Sequence, residues 1–180
     1  MLSIGIRIYL ICSVVVDAFV YHFQILQPDS LRYSYAIKPA RDFGTKFYKT
    51  YHRVPLVVAE PSHCCSVITN SDAVKDSIAL CARGQCSFVT KTLNAEQAGS
   101  RAIIVSNTVQ PDEDMMIEMV SDGTGRTVNI PAMYLPGRHG YKIQNYYRHT
   151  DFAGPVLIDI PLNLSMLPLH QARLPPWDLW

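Results

Sequence analysis

Cysteines carry most of the chemistry that this sequence could do. Cys64, Cys65, Cys81 and Cys86 lie near one another in mid-chain, while Cys12 sits alone in an apolar stretch near the N-terminus. Thiolates bind soft metals, and His63, Cys64, Cys65 and Cys81 would be the set to consider. No paired metal-ligand spacing accompanies them. Carboxylates cluster at Asp112, Glu113 and Asp114, ahead of Ser121-Asp122-Gly123-Thr124-Gly125. Calcium wants such oxygens at alternating positions around a turn glycine; that spacing is missing, so the run reads as a solvated acidic loop. The two glycines flanking Thr124 are too few for a phosphate-binding loop. Hydrolytic signatures are absent too: the sequence has no Gly-x-Ser-x-Gly elbow and no His-Glu-x-x-His helix face. His139 and His149 have no visible activating partner and read as ordinary surface histidines. The expectation is a protein that is not an enzyme, with no catalytic residues, no metal and no cofactor.

The elements that position the cysteines are legible around them. Ile78-Ala79-Leu80-Cys81-Ala82 is a short apolar run bounded by polar residues, the mark of a buried strand. Arg83-Gly84-Gln85-Cys86 turns the chain. Ser87 brings a side-chain oxygen that accepts hydrogen bonds from the free amides of a helix start. A helix over residues 88–98 follows until Gly99 stops it. Ala102-Ile103-Ile104-Val105 is a second buried strand. Strand, turn, helix and strand in this order pair the two strands in parallel, with the helix as crossover.

The first residues set the compartment. Arg7 precedes a nearly unbroken apolar run at residues 8–16, which ends near the small Ala18. The run is too short to span a bilayer and has the layout of a secretory signal peptide, residues 1–18, with cleavage placed between 18 and 21. No later apolar run approaches about eighteen residues, so no membrane anchor is expected and the product should be secreted. Export makes disulfides the expected state of the four remaining cysteines. Adjacent cysteines rarely bridge each other, because the small ring strains the peptide between them. Cys64 and Cys65 should each seek Cys81 or Cys86. Asn163-Leu164-Ser165 becomes a usable glycosylation sequon at Asn163. A hydrophobic content of 48% supports one packed core, and a net charge of +1 gives no reason to expect nucleic acid as partner.

Taken together, these motifs resemble a known family. The string from Ile78-Ala79-Leu80 through Arg83-Gly84-Gln85-Cys86-Ser87-Phe88, Lys91, Ala95, Ala98-Gly99 and Ala102-Ile103-Ile104 to Asn107 resembles the core of the protease-associated (PA) domain. Ile130-Pro131-Ala132 and Gly137-Arg138-His139-Gly140 resemble that family's second signature, and the likeness extends over about residues 22–180. It implies an α/β fold: a mixed β-sheet or open β-barrel with two or three peripheral helices. It also implies a bridge between Cys65 and Cys86, closing a loop of about twenty residues and worth about 3 kcal/mol in the chain-entropy model, that would pin the Arg83 turn. Cys64 and Cys81 depart from the family pattern and leave two readings open, a second bridge or, for Cys81, a buried thiol. PA domains are typically non-catalytic inserts or appendages, associated with substrate access in proteases and with cargo binding in sorting receptors. The resemblance therefore implies a secreted, non-catalytic, stand-alone PA domain that binds an unidentified protein. The alternatives are a regulator docking on a separate protease or its substrate, and a luminal cargo-sorting module.

Within that frame the PA domain is assigned to residues 22–165, and residues 166–180 form a Pro/Trp-rich tail. Arg83 and Gln85 are the candidate contacts on the turn, and Trp177 and Trp180 are candidate contacts on the tail. Prolines keep the tail extended, and folding back over an apolar groove is the preferred fate of its tryptophans. Further strands are expected near residues 22–27, 31–37, 54–59, 128–135 and 156–162, with Pro55 placing the third at an edge or at its own start. A second helix is expected at 138–148. Phe43, Phe47, Tyr48 and Tyr51 read as packing beneath a loop. Met115, Met116 and Met119 suggest either a short docked helix or an adaptable contact surface.

Overall fold

The computed structural model describes residues 20–107, 115–149, 154–162 and 173–179. The expected signal peptide, the carboxylates at 112–114, Asn163 and Trp180 lie outside them. Apolar runs that continue without polar interruption need two buried faces, because successive side chains point to opposite sides of a strand. Three strands meet that demand: β4 (Ile78–Ala82), β5 (Ala102–Ser106) and β6 (Ala132–Leu135), each buried at every position. Their side chains divide by parity. Ile78, Leu80, Ala102, Ile104, Met133 and Leu135 join one core; Ala79, Cys81, Ile103, Val105, Ala132 and Tyr134 join the other.

The first core is the interior of a barrel. Its other walls are β1 (Tyr21–Gln27), β2 (Ser34–Pro39), β3 (Tyr51–Val58) and β7 (Val156–Leu162), which contribute Phe23, Ile25, Tyr35, Ile37, Leu56 and Ile158 among others. Neighbours run β1-β2-β6-β5-β4-β3-β7 and return to β1, so the barrel is closed. Pairing is mixed: β3-β4, β4-β5 and β5-β6 are parallel, and the remaining pairs are antiparallel. The α/β fold class and mixed sheet read from the sequence hold, with the barrel closed where an open one was also allowed. Closure removes edges altogether. Pro55 therefore sits inside β3 opposite Leu157 of β7, and not at an edge or at the start of its strand.

The second core lies outside the barrel, beneath α2 (Phe88–Gln97) and the irregular segments on either side of it. Crossing from β4 to β5, α2 makes the expected parallel unit, and Gly99 follows it with φ +81°. A one-turn helix, α1 (Ser71–Val74), precedes β4. α3 (Gly137–His149) covers the barrel through Ile143, and its Tyr147 hydroxyl donates to the Leu56 carbonyl and accepts from the Val156 amide at 3.2 Å. Residues 115–128 form no helix. Met119 is buried in the second core and Met116 packs against it, while Met115 is two-thirds exposed, so the methionines form an extended strip anchored toward its C-terminal end.

Candidate functional site

The turn after β4 is built by local geometry. The Arg83 amide donates to the Ser106 carbonyl at 2.8 Å, which ends the β4-β5 ladder, and the Cys86 amide closes back on the Gly84 carbonyl at 2.9 Å. Such a tight reversal needs left-handed backbone: Gly84 has φ +96° and Gln85 φ +68°. Glycine adopts this without cost, whereas glutamine holds it only because the surroundings determine it. Arg83, Gly84 and Gln85 are exposed.

Those surroundings are supplied by covalent and charged braces. Cys65 and Cys86 Sγ stand 1.99 Å apart, and Cys64 and Cys81 Sγ stand 1.87 Å apart, so the structure forms both bridges. Of the two readings left open for Cys64 and Cys81, it takes the second bridge. Both of these cysteines are fully buried, whereas Cys65 and Cys86 are partly exposed. Beneath the turn lies Lys91, wholly enclosed. Its ammonium donates to the His63 carbonyl at 2.5 Å and the Gly84 carbonyl at 2.7 Å, and stands 3.4 Å from Cys65 Sγ. Burial lowers its pKa to about 8. One turn further along α2, Asn94 donates to the Cys64 carbonyl at 2.9 Å. Sequence reasoning recorded Lys91 as part of a motif and missed its work. The available signal is a lysine one turn (i, i+4) before the small apolar Ala95, on a helix face that is buried.

Next to the turn, Ser87 caps α2 as expected, accepting from the Thr90 amide at 3.1 Å. The same hydroxyl donates to Asp122, whose other oxygen accepts from Thr124. Arg126 completes the cluster, reaching Asp122 Oδ2 at 2.5 Å and Thr90 Oγ1 at 2.9 Å. Hydrogen bonds from Ser87 first, then Thr124, hold the Asp122 carboxyl well below the usual range. The Asp122 part of the acidic loop thus fastens a loop onto a helix start. Among the described residues no group of three His, Cys, Asp or Glu side chains could hold a metal ion.

The tail supplies a second cluster, away from these braces. Trp177 folds back: its indole N–H donates to His139 Nδ1 at 3.2 Å, its ring meets Tyr33 edge-on, and Lys142 lies 4.4 Å over it. Asp178 stands 3.6 Å from His139 Nε2, and the Tyr35 ring packs against the imidazole. His139 is therefore 6% exposed, which corrects its reading as a surface histidine. The sequence could not show this, because the groups enclosing it lie as far away as Tyr33 and Asp178. His149 is exposed, as expected. Of the four aromatics expected to pack beneath a loop, Phe43, Phe47 and Tyr51 do so, but Tyr48 is 77% exposed. The cleft of about 600 Å³ between the 40–46 loop and Glu118 is lined by none of the predicted contact residues.

Comparison with known proteins agrees with this geometry. The PA domain family model matches residues 52–143, which span the turn, both bridges and most of α3. A "PRADC1-like protein" of Drosophila melanogaster is 39% identical over 160 residues, covering 88% of this chain and 81% of that one. "ER degradation-enhancing alpha-mannosidase-like protein 3" of Xenopus laevis is 36% identical over 105 residues, covering 56% of this chain but 12% of its own length. Among solved structures, an aminopeptidase from Aneurinibacillus sp. strain AM-1 superposes on 78% of this chain and 30% of its own, with TM-score 0.53 and 17% identity, a likeness of fold. The chain belongs to the PA domain family.

Proposed function

We propose that this PA domain is a non-catalytic recognition module of the secretory pathway, and that it binds a protein partner through the exposed Arg83 and Gln85. The observation that carries the reading is the bracing of that turn. A positive-φ loop is held in one shape by the Cys65–Cys86 bridge and by the Lys91 ammonium, while its two polar tips stay exposed. A contact loop ordered in advance loses little entropy on binding, and arginine is well suited to a carboxylate or carbonyl partner. A signal peptide at residues 1–18 and a glycan at Asn163 belong to the same reading. They are supported by the two bridges, which an oxidising compartment favours, and by the "ER degradation-enhancing" relative. The PA domain at 22–165 would carry binding, and the 166–180 tail would strap the fold through Trp177.

The test is a crosslinking pull-down from secretory-pathway extract with wild type and the Arg83→Ala, Gln85→Ala double variant. The double variant should lose the captured partner while its Tm stays within about 1 °C, since exposed substitutions rarely change stability. Undiminished capture would remove the turn from the interface. Hydrolysis of a peptide library by pure protein, abolished by a point mutation, would overturn the non-catalytic assignment.

A further inference from the structure

The two bridges sit in different chemistry. Cys64–Cys81 is enclosed on both sides by the apolar second core. Cys65–Cys86 is partly exposed at the tip of the turn, and one of its sulfurs, Cys65 Sγ, faces a buried ammonium at 3.4 Å. The remaining polar neighbours of that sulfur are the carbonyl oxygens of His63 at 3.4 Å and Gly84 at 3.8 Å. The titratable or charged groups on the surrounding elements are Lys91 from α2, His63 from the same loop and Arg83 on the turn. The His63 Nδ1 accepts the Cys65 amide at 3.0 Å. On the other side, Cys86 precedes the capping Ser87, beside which Asp122 is neutralised by Arg126.

From this asymmetry we infer that Cys65–Cys86 is a thiol–disulfide exchange site for low-molecular-weight thiols of the glutathione class, in which Cys86 takes the incoming thiol and Cys65 leaves. An incoming thiolate, its proton already lost to solvent, attacks Cys86 Sγ in line with the bridge. The new bond joins its sulfur to Cys86, the Cys65–Cys86 bond breaks, and the electron pair stays on Cys65 as a thiolate facing the Lys91 ammonium. A second thiolate, its proton lost to solvent, attacks the small-molecule sulfur of the mixed disulfide; a bond forms between the two incoming sulfurs, the bond to Cys86 Sγ breaks, and Cys86 leaves as a thiolate that takes a proton from solvent. Two thiols are thereby oxidised to their disulfide, and Cys65 and Cys86 are reduced to a thiolate and a thiol. A cation beside a leaving sulfur lowers its pKa and speeds departure, and it fixes which sulfur leaves. Lys91 also binds the His63 and Gly84 carbonyls, so the loop and turn stay joined by hydrogen bonds when the covalent link opens. Cys64 and Cys81 are fully buried, and among the described residues no ammonium or guanidinium is in contact with their sulfurs.

The experiment places the full, oxidised chain in glutathione buffers of stepped redox ratio at pH 7.5, quenches by alkylation and reads each cysteine by peptide mass spectrometry. Cys65–Cys86 should open while Cys64–Cys81 stays closed, with the transient glutathione adduct on Cys86. Lys91→Met should slow the opening by about fivefold or more. If that variant does not fold, the free thiols decide the matter. Cys65 in Cys86→Ser should alkylate with a pKa about one unit or more below the ordinary cysteine value of about 8.5. Cys86 in Cys65→Ser should lie above Cys65. Adduct formation on Cys65, equal opening of both bridges, or a Cys65 thiol at or above the ordinary value would overturn the assignment.

Discussion

Lys91 has no solvent contact, yet its ammonium holds two carbonyls from two separate segments. Taking its side chain away removes a charged donor from each, and the Gly84 carbonyl keeps only the Cys86 amide, so Lys91→Met should destabilise the fold by about 1–2 kcal/mol at neutral pH. The pH dependence has a definite sign. With the folded-state pKa lowered to about 8 from an unfolded 10.5, the unfolded chain binds more protons between those values, and stability from this group rises with pH across that window. This pH-linked part is fully present above pH 10.5 and is lost as pH falls through 8, and the hydrogen bonds to the two carbonyls account for what remains at neutral pH. Urea unfolding in the absence of thiols, from pH 7 to 10.5, should therefore show the wild-type advantage over Lys91→Met widening as pH rises. A constant difference would mean that the lysine titrates alike in both states. His139 is the opposite case at this scale. Its imidazole accepts the Trp177 indole N–H through Nδ1, an arrangement that needs an unprotonated nitrogen there.

At the scale of elements, the β4-α2-β5 unit shows how far local rules reach. The apolar runs, the Ser87 cap and the Gly99 stop each depend on a few neighbouring residues, and the structure places all of them within a residue or so of the reading. The cap does a second task that local rules do not contain, since Ser87 also fixes Asp122 from the 115–130 segment. Ser87→Ala should destabilise by about 1 kcal/mol through the lost cap. It should also raise the Asp122 carboxyl toward the ordinary range, because the first of the bonds holding it down is gone. Carboxyl NMR titration reads the second effect separately from the first. A stability loss with an unmoved Asp122 would sever the link between helix start and loop. The docked-helix alternative for the methionine strip and the edge placement of Pro55 are where element-level reading gives way. Residues 115–128 are shaped by what they cover, and a proline's place in a sheet depends on which strands flank it.

For the whole molecule, the closed barrel and the returning tail are the two features no window of sequence contains. The tail is tied on by the Ser34 amide donating to the Arg173 carbonyl at 2.7 Å and by Arg138 donating to the Trp177 carbonyl at 2.7 Å, with the indole seated on α3 and Tyr33. Trp177→Ala removes a half-buried aromatic and its hydrogen bond to a buried histidine, and should cost about 2 kcal/mol. Limited proteolysis should then cut the tail faster than in wild type, with the barrel core surviving. Unchanged cleavage would show that the backbone ties alone hold the strap.

The sequence by itself determined the fold family, the central crossover unit, and which side chains lie on its turn. Those follow from side-chain period, capping and turn chemistry, which act over a few residues. Tertiary structure alone decided that Cys64 meets Cys81, that the sheet closes, and that Lys91 and His139 are enclosed. Each of these depends on the packing of residues well apart in the chain: Cys64 and Cys81 are separated by 17 residues, His63 and Lys91 by 28, and His139 and Trp177 by 38. Such distances are closed by the collapse of the two cores, and no local propensity reports them.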